Sequence, residues 1–110
     1  MTTTINMTNI QYWADETRKN LALAKDSARL MTSRHGSVET VRCVATWLSA
    51  FEAIIGSYFA QITEAVDGLN GATNEEREAA YTAYLQIAKA HRTVRGFVEK
   101  IPACKARYGL

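Results

Sequence analysis

The sequence predicts an all-α fold, an elongated antiparallel up-down-up bundle of three helices. Three observations carry that expectation. Apolar residues recur at alternating steps of three and four through three long segments, no segment alternates with the period of two that a strand requires, and the connections are short. Helices are expected over about 9–35, 38–67 and 74–101, with 1–7 a flexible tail, 8–101 one domain and 102–110 a short tail or extra turn. At 1.5 Å per residue such helices are roughly 35 to 50 Å long.

The first segment opens at Thr8-Asn-Ile-Gln11, a capping-box pattern, with Met7 and Tyr12 at the positions of a hydrophobic staple. Its stripe runs Ile10, Ala14, Thr17, Leu21, Ala24, Ala28 and Met31, and Gly36 after His35 supplies a stop. Ser37 is a sound N-cap for the second segment, where Val41, Val44, Leu48, Phe51, Ile55, Tyr58, Ile62, Ala65 and Leu69 form an unbroken seam. Asp67-Gly-Leu-Asn-Gly71 ends it, and Thr73-Asn-Glu-Glu76 is a second capping box. The third stripe is Ala80, Tyr84, Ile87, His91, Val94, Val98 and Ile101, after which Pro102 stops or kinks the helix.

The middle segment is apolar on more than one side. Ala45, Trp47, Ile54 and Phe59 widen its inner face, while Thr46, Ser49, Ala53, Gly56, Ala60 and Thr63 form a separate stripe of small residues. Such a stripe is a solvent-facing strip, a seam against the alanine-rich first helix, or a groove where a second copy or a partner helix docks. A homodimer through this face is the preferred use, because two neighbours cannot cover a helix on every side. Residues 43–63 carry one charge, Glu52, but six polar or glycine positions dilute them too far for a membrane span.

The composition, 110 residues with 47% hydrophobic and 22% charged, is that of a soluble globular domain and excludes a disordered chain. Cys43 and Cys104 are 61 residues apart and have no zinc-ligand spacing, so they are expected as free thiols. Met1–Asn6 lacks the basic and apolar regions of a signal peptide, and a cytoplasmic protein is expected. The formal charge of +2 hides a division. With the helices antiparallel, residues 1–23, 53–70 and 71–88 place −4 at one pole, and 24–52 and 89–110 place +6 at the other. Arg34, Arg42, Lys89, Arg92, Arg95, Lys100, Lys105 and Arg107 are the candidate partner-binding residues of the basic pole. Helix dipoles explain part of this division, since acids favour helix N-termini and bases C-termini.

For chemistry the sequence offers little. Antiparallel pairing brings Asn20, Glu52 and His91 to one level, either as a polar layer that fixes helix register or as an acid/base site. No nucleophile completes a catalytic set, and the Glu-x-x-His pairs of a di-iron bundle are missing. No enzyme, metal or cofactor is expected. The expected function is a non-enzymatic protein–protein interaction module, homodimeric, whose basic pole meets a macromolecular partner, a nucleoprotein complex included. The alternative is a nucleic-acid binder using the basic C-terminal half of helix three. In size and plain helical build the chain resembles the small accessory proteins of phages and mobile elements, including anti-CRISPR inhibitors of host defence complexes. No motif carries that resemblance, and no residue role follows from it.

Overall fold

The computed structural model describes residues 7–31, 36–69 and 71–110. Three long helices, α1 (Met7–Met31), α2 (Val38–Asp67) and α3 (Asn74–Glu99), are followed by the short α4 (Ile101–Arg107). Each of the three long helices packs on the other two, in a rod with Cα extents of 56 × 18 × 15 Å. Of the expected tail at 1–7, Met7 belongs to α1 and residues 1–6 lie outside the described residues, as does the expected end of the first helix with Arg34 and His35.

Local chemistry accounts for most helix ends. Ser37 caps α2 by accepting the Thr40 amide at 3.1 Å. The box at α3 closes in both directions, with the Glu76 amide donating to Thr73 Oγ1 at 3.1 Å and the Thr73 amide to Glu76 Oε1 at 3.0 Å. Those bonds from Thr73, the backbone amide first, hold the exposed Glu76 carboxyl below its ordinary value. Its support for the cap is therefore present above the usual Glu range and fades as pH falls through the lowered value. Gly71, at φ +88°, supplies the left-handed residue that the turn before α3 needs.

The start of α1 differs from expectation. The helix already includes Met7, so Thr8 is not its cap, and Gln11 donates instead to Asp15 at 3.2 Å. Met7 packs beside Ile10 on the core formed with the C-terminal end of α2 and the N-terminal half of α3, and this burial outweighs the local capping pattern. Tyr12 is exposed and meets Tyr58 edge-on, with ring centroids 6.1 Å apart, rather than completing a staple.

Every member of the three apolar stripes is buried or half-buried. The core has two parts. Ile10, Ala14, Ile62, Leu69, Ala80, Ala83 and Ile87 fill the acidic end. Val41, Val44, Leu48, Ile55, Val94 and Ile101 lead the other part, where α4 adds Cys104. Pro102 sits in the first turn of α4, where its missing N–H costs nothing, so the chain turns and starts again after Lys100. The Cys104 thiol donates to the Met31 carbonyl at 3.5 Å, which ties α4 to the last turn of α1. Both cysteines are free, Cys43 exposed and Cys104 buried.

Two of the residues expected to widen the inner face of α2 point outward instead: Trp47 is 49% exposed and Ile54 39%. Among the described helices α2 alone is long and apolar enough, by length and composition, to cross a membrane, yet only 22% of its most apolar stretch is buried in the bundle. Gly56 does not lie on a free groove. A Cβ there would stand 3.2 Å from Nε2 of His91, whose ring stacks on Phe59 with centroids 5.4 Å apart. The glycine is thus part of the α2–α3 seam, making room for an imidazole. Nearby on α1, Thr17 is buried with no hydrogen-bond partner for its hydroxyl among the described residues.

Three stability changes follow, each read from urea melts at low protein concentration. Ile55→Ala, at a fully buried position, should cost about 2–5 kcal/mol, whereas Ile54→Ala should stay under about 1 kcal/mol; equal losses would contradict the orientation of α2. Thr17→Val keeps the shape, removes the unpaired hydroxyl and should stabilise by about 1 kcal/mol. Gly56→Leu should destabilise by about 1–3 kcal/mol, and His91→Ala in the same chain should recover part of that loss. Strictly additive losses would mean that the two residues do not meet.

Candidate functional site

The polar layer expected from Asn20, Glu52 and His91 does not assemble. Asn20 Nδ2 donates to the Glu16 carbonyl of its own helix at 2.8 Å, and His91 is held between Phe59 and Gly56. Glu52 is half-buried, and among the described residues no hydrogen bond joins it to either. Asn20 and His91 each have another partner, and no hydrogen bond among the described residues joins the three into a layer. Among the described residues no three of His, Cys, Asp and Glu gather to hold a metal ion.

Two surfaces remain. The first is the outward face of α2. Of its small residues, Thr46, Ser49, Ala53 and Ala60 are exposed, while Gly56 and Thr63 are half-buried. Gly56 faces α3, so the stripe is narrower than the sequence spacing implies. The two threonines direct their hydroxyls to their own helix, Thr46 to the Arg42 carbonyl at 3.1 Å and Thr63 to the Phe59 carbonyl at 2.7 Å. From Arg42 to Glu64 this face is short-chained and uncharged. Serine and alanine extend it at Ser57 and Ala50, and Trp47 and Ile54 stand on one flank.

The second surface is the basic pole, which the structure divides. Arg34 lies outside the described residues. Arg42 is exposed near the start of α2, Lys89, Arg92 and Arg95 form an exposed ridge along α3, and Lys105 is half-buried on α4. Among the described members of the expected set, only Lys100 and Arg107 border a groove, of about 390 Å³, between the C-terminal half of α1, the end of α3 and α4. Ala28, Met31, Phe97 and Cys104 make its floor, all buried or half-buried. Its rim is the four exposed cations Lys25, Arg29, Lys100 and Arg107.

Arg29 also pairs with Asp26 at 3.4 Å, both side chains being largely exposed. Lys25, Lys100 and Arg107 enter no ion pair among the described residues. Lys25 was not singled out by sequence reasoning. The signal was present in its spacing: Lys25 and Arg29 are four apart, on the flank of the stripe that ends in Ala28 and Met31.

Neither surface comes with a relative that assigns it: no protein-family model matches the chain, no curated protein matches it, and no solved structure matches it.

Proposed function

We propose that this chain is a non-enzymatic interaction module of the cytoplasm, which pairs with a second copy through the outward face of α2 and offers its basic pole to a macromolecular partner. The observation that carries the reading is the outer face of α2. A helix whose most apolar stretch is 22% buried has apolar surface that the bundle itself does not cover. The reading as a non-enzymatic module is in keeping with the absence, among the described residues, of a hydrogen bond between Glu52 and His91, whose ring stacks on Phe59.

Charge complementarity favours a second copy as the occupant of the α2 face in this reading. An antiparallel pair centred on Ala53 sets Thr46 against the partner's Ala60 and Ser49 against the partner's Ser57. The same register brings Arg42 opposite the partner's Glu64. Small side chains at these positions let two helix backbones approach closely, and antiparallel pairing places the −4 pole of one copy beside the +6 pole of the other. Residue i meeting j while j meets i is the self-complementarity that a two-fold interface requires.

Light scattering coupled to size exclusion at micromolar concentration should report a dimer. Ala53→Glu, which sets two like charges at the two-fold centre, should give a monomer with unchanged helicity. Arg42→Glu should weaken the dimer, and combining it with Glu64→Arg should restore it. A monomeric wild type sinks the proposal, and a double variant no better than the single one sinks the antiparallel register.

A further inference from the structure

We infer that the groove between α1, α3 and α4 is a docking site for an acidic polypeptide segment carrying one apolar anchor side chain. The inference rests on the basic pole being a binding surface, and it is independent of the dimer: no α2 residue lines the groove, so pairing through α2 leaves it open.

The chemistry of the lining selects this occupant. The floor is apolar, and Ala28 and Phe97 on it are only half-buried, so a ligand reaches them without unfolding the core. Its volume of about 390 Å³ is at the small end of ligand clefts, which run from about 300 to 1,000 Å³. That suits one leucine- or phenylalanine-sized side chain with its neighbours. Among the described lining residues every charged one is a cation, and Arg29 also pairs with Asp26. An apolar anchor ringed by charged contacts is how interface hot spots are built, because the rim excludes water from the centre.

A bare polyanion is a poorer match. Phosphates would satisfy Lys25, Lys100 and Arg107 but leave the floor uncovered, whereas a carboxylate-flanked leucine or phenylalanine uses both. The site is also held in shape. The Cys104 thiol on the Met31 carbonyl fixes α4 against the end of α1, which places Arg107 across the groove from Lys25 and Arg29.

The test is fluorescence anisotropy of full-length protein with labelled peptides in which one Phe is flanked by Asp and Glu. The expected result is saturable binding that falls about tenfold or more when the Phe is changed to Ala. Lys100→Glu with Arg107→Glu should lower affinity by a similar factor. Ala28→Leu, which fills the floor and leaves every charge, should also weaken binding. Lys89→Glu with Arg92→Glu, on the ridge outside the groove, should change it by less than about twofold, with circular dichroism confirming that each variant is folded. If the ridge variant loses as much as the groove variant, or the Phe→Ala peptide binds equally well, the groove assignment is overturned while the basic pole stands as a diffuse binding surface. If an oligonucleotide of equal charge binds more tightly and is insensitive to Ala28→Leu, the peptide class is wrong. If neither peptide nor oligonucleotide binds at low salt, the groove and the basic-pole reading fail together.

Discussion

Two neighbouring helices can cover only part of the circumference of a third, and α2 is short of charge around most of its own. The rest of the structure follows from that mismatch. The seam from Val41 to Leu69 buries one side between α1 and α3 and divides the core into its two parts. What is left over, from Thr46 to Ala60 with Trp47 and Ile54 on a flank, stays in water. Burying a Val, Leu or Ile side chain is worth roughly 1.5–3 kcal/mol, so the inner seam is ample to set helix register. The outer face contributes nothing to that register. It is therefore free to serve association without a conflict between folding and binding.

The α2–α3 seam shows how closely that inner packing is specified. A glycine within a helix costs about 0.5–1 kcal/mol relative to alanine, and Gly56 persists because the His91 ring occupies the space a Cβ would take. Phe59 then stacks on both Tyr84 and His91, with centroids 5.8 and 5.4 Å apart, so α3 is gripped through aromatic faces rather than through a hydrogen-bonded layer. This arrangement does without the buried carboxylate that an acid/base pair would need, and it leaves Glu52 at the edge of the seam. Specificity of register comes here from shape, in the size difference between a glycine and an imidazole.

The helices and their inward faces were legible in the sequence because a 3-4 repeat encodes direction: each step states which side of the cylinder a residue occupies. The boundaries of α2 and the capping box at Thr73 were legible for the same local reason, since the participating residues are three apart in the chain. What could not be read was tertiary. The spacing of Gly56 groups it with Ala53 and Ala60, and only the position of α3 moves it into the seam. The shared level of Asn20, Glu52 and His91 was a count along three rods, and a count says nothing about rotation around them. At the start of α1 a good local pattern at Thr8 gave way to burial beside Ile10, a competition that sequence alone leaves undecided.

The groove is the clearest case of information that appears only on folding. Its four cations come from residues 25 and 29 on α1, 107 on α4 and Lys100 at the junction of α3 and α4, and no spacing within one segment brings all four together. They meet because Pro102 ends one helix and begins another, and because α4, seven residues long, turns its Cys104 into the core. A continuous α3 would have carried Arg107 away from the bundle along the rod axis. The break instead folds it back over the last turn of α1, where the negative end of the α1 dipole stabilises gathered positive charge. The same dipole logic that makes basic residues at helix ends look unremarkable thus lowers the cost of collecting them around an apolar floor. A cluster of positive charge that would repel itself in isolation is thereby stabilised at this end of the bundle.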